Sequence, residues 1–432
     1  MRVLMFGWEF PPHISGGLGT ACYGLINGLS HQGVNVAFVV PKKFGDELTG
    51  GYRILGANEV MVDIKHSRQQ EIFKNITYIE IGSLLMPYVS PEEFTRLTDA
   101  SEHDRFDIEE SVFSESFDFS GEYGRDLSKE VARYAVVASK IATDQPHDVI
   151  HAHDWLTYPA GVAAKMVSGK PLVVHIHATE FDRSGQNINQ QVYEIEKSGM
   201  LAADLVIAVS NLTRQVVIDK YGIDPDKVIT IHNAVLQPED VSHLEVRRPV
   251  KEKIVTFLGR ITFQKGPEYF VEAAHRVLQK DSNVRFVMAG SGDMLNRMIL
   301  RVAALRIGHR FHFTGFLRGD DVDRMFSMSD VYVMPSVSEP FGISPLEAMR
   351  SNVPVIISKQ SGVAEVLHHA IKVDFWDIDA MANAIYALTH YNGIGVLFRR
   401  HGKMEVENLK WENVAAKVAN TYTEVCEKHK IG

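Results

Sequence analysis

Two rhythms alternate along the chain. Short apolar runs rich in β-branched residues recur at 3–6, 34–40, 149–153, 172–177, 205–209 and 228–232, then at 254–258, 284–289, 331–334 and 353–357. Longer stretches with helical spacing lie between them, among them 20–30, 268–279 and 345–350. This alternation is the pattern of parallel βαβ units. At 432 residues the chain is too long for one ordinary core. It therefore predicts an α/β protein of two Rossmann-like parallel-sheet domains, each of about 200 residues.

The rhythm breaks twice. Between about 87 and 124 the chain is acidic and aromatic, with few β-branched residues. That segment reads as an excursion from the first domain, either a lid or a surface decoration. From 238 to 253 the chain is polar and charged, and strand patterning restarts at once. This is the predicted linker. The expected plan is a first domain over 1–237, a second over 254–410, and a terminal amphipathic helix over 411–432 marked by Trp411, Val414, Val418, Tyr422 and Val425.

Composition narrows the function. Net charge is −9 and no Lys/Arg-rich run occurs, which argues against a nucleic-acid partner. Cys22 and Cys426 are the only cysteines, so a disulfide framework is excluded and a reducing compartment is expected. The apolar start at 1–6 is too short for a signal segment or a membrane span, and reads as the first strand of a cytoplasmic protein. No basic amphipathic helix stands out that would argue for a membrane acceptor.

Six strand ends carry candidate chemistry. After the first strand comes Pro11-Pro12-His13-Ile14-Ser15-Gly16-Gly17-Leu18-Gly19 and then a helix. Gly16 and Gly17 suit either a phosphate site at a helix N-terminus or a plain tight turn. His151-Ala152-His153-Asp154 and His175-Ile176-His177 end two further strands, with i and i+2 on one face. They could be site residues, buried core histidines or metal ligands. The compact ligand string of dinuclear hydrolases is absent, so the expectation is no metal. In the second half, Gly259-Arg260 and Lys265-Gly266 flank a turn before a helix, as a diphosphate pocket would require or as surface cations would allow. Gly290 lies in a further strand-end loop, Ala289-Gly290-Ser291-Gly292. Ser338-Glu339-Pro340-Phe341-Gly342-Ile343-Ser344-Pro345-Leu346-Glu347 puts two carboxylates around one helix start, as site groups or as an acidic cap.

Together these strings resemble glycosyltransferase family 4, and within it the glycogen and starch synthases. The resemblance runs from Met1 to about Val425 and includes the Glu-x7-Glu string, the Gly-Arg and Lys-Gly pairs, His-Ala-His-Asp-Trp at 151–155 and the turn Ser361-Gly362-Val363-Ala364-Glu365. It implies the GT-B fold, with two domains facing across a cleft, and a metal-independent retaining hexosyltransferase without a cofactor. The donor would be a nucleoside diphosphate sugar such as UDP- or ADP-glucose, and the acceptor an α-glucan. The resemblance makes His177, Glu339, Arg260 and Lys265 the catalytic groups. Gly16, Gly17, Gly290, Phe341, Gly342, Ile343 and Glu347 become donor-binding residues. His151, His153 and Asp154 become scaffold or acceptor-side residues. Ser15 stands where many bacterial starch synthases have lysine, so ADP-glucose does not follow from that loop. A nucleotide-sugar epimerase of the same fold, a metallohydrolase and a noncatalytic binder are the competing classes. A transferase acting on a small sugar or on a cell-wall or lipid acceptor is a further alternative.

Overall fold

The computed structural model of the chain describes residues 1–14, 16–62, 116–121, 123–124, 127–185, 187–236, 248 and 250–431. Most of the acidic excursion, most of the predicted linker and Ser15 lie outside the described residues. Two compact units result. One comprises Met1–Val209, Thr213–Ile231 and Trp411–Gly432, the other Ser210–Leu212 and His232–Lys410.

The first unit is built on seven strands: β1 (Arg2–Phe6), β2 (Asn35–Val40), β3 (Arg53–Gly56), β4 (Val149–His153), β5 (Leu172–Ile176), β6 (Leu205–Ala208) and β7 (Val228–Thr230). Their order is β3-β2-β1-β4-β5-β6-β7, and every pair is parallel. Helices α1 (Gly17–His31), α2 (Leu127–Asp144), α3 (Tyr158–Ser168), α4 (Glu180–Ser184), α5 (Gln190–Ala202) and α6 (Asn211–Tyr221) join the strands. The central strands are apolar because they are buried: β4 and β5 are covered along their whole length. Each Val, Leu or Ile so buried contributes on the order of 1.5–3 kcal/mol. Tyr134 of α2 ties the sheet end together, donating from its hydroxyl towards the carbonyls of Gly7 (3.1 Å) and Val39 (2.7 Å).

The second unit has six parallel strands: β8 (Lys253–Leu258), β9 (Val284–Ala289), β10 (Phe311–Gly315), β11 (Val331–Met334), β12 (Val355–Ser358) and β13 (Ile371–Val373). Their order is β10-β9-β8-β11-β12-β13. Its helices are α7 (Pro267–Leu278), α8 (Leu295–Ala304), α9 (Asp320–Met328), α10 (Ser344–Arg350), α11 (Ile378–His390) and α12 (Asn392–Val406). The final helix, α13 (Trp411–Ile431), belongs to the first unit and packs on α1. Gly24 and Gly28 allow that approach: a Cβ at Gly28 would lie 2.7 Å from the Trp411 carbonyl oxygen.

Both sheets reverse strand order at one place, β1/β4 in the first unit and β8/β11 in the second. Open parallel sheets bind ligands outside the C-terminal strand ends at such a reversal. The glycine loop follows β1, and the histidine strings form the C-terminal ends of β4 and β5. The cation pair and Glu339 follow β8 and β11.

Candidate active site

In the first unit, α1 starts at Gly17, with Gly16 extended before it. Its N-cap, Gly16, has no side chain to offer, and no acidic residue lies in its first turn. Gly19 donates its N–H to Oε1 of the buried Glu9 at 3.1 Å. A Cβ at Gly16 or Gly17 would meet nothing within 4 Å among the described residues, so this side of the turn is open among them.

His151 and His153 share one face of β4, and His153 is in register with His175 on β5. Their rings stack, His151 on His153 with centroids 4.3 Å apart and His175 on His177 with centroids 4.4 Å apart. His151 Nδ1 bonds the Tyr422 hydroxyl of α13, and His153 Nδ1 lies 3.0 Å from His177 Nε2. Burial first, and neighbouring histidines second, hold His151, His153 and His175 well below the usual imidazole range. Burial likewise lowers His177 to about 3, so all four rings are neutral near pH 7. A neutral His177 can bond a sugar hydroxyl but brings no positive charge.

Nitrogens of His151, His153 and His175 come within 4.8 Å of one another. The His151 and His175 planes, however, lie only 10° apart. A metal ligand aims its nitrogen within the ring plane, and near-parallel stacked rings do not converge on one tetrahedral centre.

Asp154 adopts a left-handed conformation (φ 58°), which aspartate tolerates better than most residues. Its Oδ1 accepts the N–H of His177 (2.6 Å) and of Ala178 (3.4 Å). Burial raises its carboxyl to about 6, against the lowering effects of Arg183 and of these two bonds. Arg183 pins the same turn from the other side through the Ala178 carbonyl (3.0 Å), and pairs with Glu180 and Glu196. Arg183 was not singled out from sequence. Its only signal there is a lone arginine six residues after His177.

In the second unit, the 3-10 turn Phe263–Lys265 follows β8 and ends at Gly266. Gly266 has φ 64°, and a Cβ there would lie 2.2 Å from the Pro335 carbonyl oxygen. Only glycine lets this turn sit so close to the loop after β11. Val337 N–H to Gln264 O (2.9 Å) fastens the two together. The result brings Lys265 Nζ to 2.5 Å from Glu339 Oε2, which also accepts from Ser336 Oγ at 3.2 Å. Arg260 reaches Gln264 Oε1 at 3.4 Å on the same turn.

Glu339 is held at both ends of its backbone, N–H to Gln360 O (3.0 Å) and C=O from Gly362 N–H (2.8 Å). The Phe341 carbonyl takes Val363 N–H at 2.8 Å, and the Phe341 ring is buried. The N–H groups of Gly342 and Ile343 donate to no backbone carbonyl among the described residues. Glu347 lies in the first turn of α10, and its carboxyl is raised by burial, with Arg350 opposing. Tyr332 bridges β8 and α10 through Leu258 O (3.2 Å) and Ser344 Oγ (2.8 Å). Burial pushes its phenol up, and the carboxylates of Glu339 and Glu347 push it further. Gly290 spends its N–H on Gly315 O (2.8 Å), and a Cβ there would lie 1.9 Å from Gly259 O. Its visible part is thus to let the backbone beside Arg260 pack closely. Ser336 and Tyr332 were not anticipated, because a serine in a loop and a tyrosine in an apolar strand carry no motif.

Residues 87–235 match the family model Glycosyltransferase Family 4, and residues 240–392 match the model Glycosyl transferases group 1. An alpha-maltose-1-phosphate synthase of Mycolicibacterium smegmatis is 30% identical over 315 residues, covering 64% of this chain and 79% of that protein. The chain belongs to glycosyltransferase family 4. Other relatives of this family 4 enzyme span nearly its whole length. An uncharacterized glycosyltransferase of Methanocaldococcus jannaschii is 28% identical, with 98% of both chains covered. A glycogen synthase of Mycobacterium tuberculosis is 23% identical, with 98% of this chain and 94% of that one covered. The sucrose-phosphate synthase of Thermosynechococcus elongatus superposes with a TM-score of 0.69 at 17% identity, covering 98% of each chain, which shows the shared GT-B fold. As a member of this retaining family, the enzyme transfers a sugar from a nucleotide-sugar donor. No helix among the described residues is long and apolar enough to cross a membrane.

Proposed function

We propose that this enzyme moves glucose from a nucleoside diphosphate to an α-glucan, with retention and without a metal. The observation that carries the reading is the meeting of Lys265 and Glu339 at the β8/β11 reversal, with Arg260 on the same turn. Arg260 and Lys265 neutralise the charge that grows on the leaving diphosphate, the kind of interaction that gains most in the transition state. Glu339 holds sugar hydroxyls and presents negative charge to an oxocarbenium-like carbon. The unspent N–H groups of Gly342 and Ile343 bind donor oxygens, and Glu347 takes the ribose hydroxyls. From the first unit, Gly16 and Gly17 give their N–H groups to phosphate, and neutral His177 bonds the transferred sugar. His151, His153 and Asp154 serve as scaffold for His177. The acceptor attacks from the face that the diphosphate leaves, and a phosphate oxygen takes its proton.

The glucan acceptor is supported by the motif resemblance to glycogen synthases and by the glycogen synthase relative. A small phosphorylated sugar is the second reading. The alpha-maltose-1-phosphate synthase relative and the sucrose-phosphate synthase fold neighbour favour it. The test crosses UDP-, ADP- and GDP-sugars with glycogen, maltooligosaccharides and hexose phosphates, and reads the product anomer by NMR. Transfer to hexose phosphate alone would replace the glucan reading. Inverted product, or release of an epimerised donor, would overturn the proposal.

A further inference from the structure

We infer that the outer face of α12, in the second unit, docks on an anionic lipid surface. The helix is seated by small residues: Gly395, Gly402 and Val406 face inward, and a Cβ at Gly402 would lie 2.9 Å from Met349 Cε. Its outward side carries Val396, Leu397 and Met404, each more than half exposed (55%, 52% and 55%), with Tyr391 at its head. Leu397 and Met404 are seven residues apart and so lie on one line of the helix. Val396, Arg400 and Lys403 follow at i, i+4 and i+7 beside them.

Charge decides what fits this face. Arg276, Arg285, Arg297, Arg301, Arg310, Arg324 and Arg350 of the same unit all pair with carboxylates. Arg399, Arg400 and Lys403 pair with none among the described residues. Val396, Met404 and these three cations line a groove of about 500 Å³ that Asn352 and Glu407 complete. Glu405, the other acid of the segment, is turned to the N–H groups of His368 and His369. Exposed apolar side chains among unpaired cations form the mixed face that lies in a membrane interface, the cations meeting phosphates while their methylene stems stay with the apolar layer. A second copy of the chain fits less well, since two such faces would bring like charges together. Sequence alone hid this helix, because Gly393, Gly395 and Gly402 blur its periodicity.

The inference stands independently of the acceptor proposed above. Its test is flotation of the full chain with phosphatidylcholine vesicles, with and without phosphatidylglycerol, at low and high salt. The chain is expected to float only with anionic vesicles, and less as salt rises. Arg400→Gln/Lys403→Gln should weaken partition roughly thirty-fold, which corresponds to about 1 kcal/mol per cation. Leu397→Asn/Met404→Asn should also release the chain. Both variants should keep the wild-type circular dichroism and the wild-type rate with water-soluble substrates. Equal flotation with neutral vesicles, no flotation at low salt, or variants that float like wild type would each overturn the inference. So would a concentration-dependent dimer that Leu397→Asn/Met404→Asn dissolves, because a second copy would then cover the face.

Discussion

The ammonium of Lys265 and Oε2 of Glu339 lie 2.5 Å apart, although their turns follow different strands, β8 and β11. One group proposed for the diphosphate is thus the partner of the group proposed for the sugar. A diphosphate entering this site competes with Glu339 for the same ammonium. The pair holds Lys265 in place before the donor arrives, at the cost of an interaction that the donor must partly displace.

Glu339→Gln separates these roles. The amide keeps the shape but removes the charge that competes with phosphate. Free nucleoside diphosphate should bind as well as to wild type or slightly better by calorimetry. Turnover should fall by about a hundredfold or more, the scale of losing one electrostatic stabiliser. Normal turnover would reduce the glutamate pair to a helix cap. Loss of nucleotide binding would reverse the donor orientation.

Lys265→Ala should act the other way, weakening nucleotide binding and slowing turnover together. It also strands Glu339, whose side chain is only 8% exposed. Removing one partner of a fully buried pair costs about 3–5 kcal/mol. The Lys265 side chain is 21% exposed, so solvent screening should hold the loss to the lower part of that range or below. Adding Glu339→Gln to Lys265→Ala should restore part of the lost melting temperature. An additive double variant would mean that the pair contributes no coupling.

The strand ends that carry this pair were legible from sequence because chemistry there comes as short strings beside buried strands. β4, β9 and β11 begin and end where the apolar runs do, since both faces of β4 and β11 are covered and β9 is covered fully on one face and partly on the other. The strands β3, β10 and β13 left no such run. They lie at or near sheet edges, and β10 is covered fully only at Phe311. Ser336 and Tyr332 were hidden for a different reason: their part is to bond partners far away in sequence, and no local spacing encodes that. The Lys265–Glu339 contact, 74 residues apart, was invisible for the same reason.

Chelation tests the cationic site. In the proposed site, Arg260 and Lys265 take the part that carboxylates holding a divalent ion on the diphosphate play in a metal-dependent transferase. Initial rates in EDTA should equal those without it. Complete loss, restored by magnesium or manganese, would overturn the proposal.

Acid should destabilise the first unit before most carboxylates titrate. His151, His153 and His175 are buried and held neutral, whereas in the unfolded chain they take up protons below about pH 6.5. The unfolded state then binds more protons, so stability falls as pH drops from there. Asp154, raised to about 6, and Glu196, raised to about 7, oppose this. They hold protons in the folded state that the unfolded chain has released, so their contribution grows as pH falls towards about 4. His177, lowered to about 3, stands with the other three rings, so four histidines against two carboxylates leave a net loss of stability as pH falls. His175 has neither ring nitrogen bonded among the described residues, so His175→Phe should flatten the fall in melting temperature between about pH 6.5 and 4.5. An unchanged slope would mean that other groups govern acid stability.

The turn that brings Lys265 to Glu339 depends on a glycine. Gly266 combines φ 64° with a 2.2 Å gap between an added Cβ and the Pro335 carbonyl oxygen. Gly266→Ala therefore incurs two penalties. The left-handed backbone costs about 1–2 kcal/mol for a residue with a Cβ. The clash is with backbone, which cannot turn aside as a side-chain tip does, so the 3-10 turn must move away from the β11 loop. That movement separates Lys265 from Glu339 and strains Val337 N–H to Gln264 O. The variant should melt lower than wild type, bind nucleotide more weakly and turn over more slowly. Asparagine adopts left-handed backbone more readily than alanine, but it carries the same Cβ. Gly266→Asn should therefore recover some stability and none of the nucleotide affinity. Wild-type nucleotide affinity in both variants would show that the close seat of this turn does not position Lys265 for the donor.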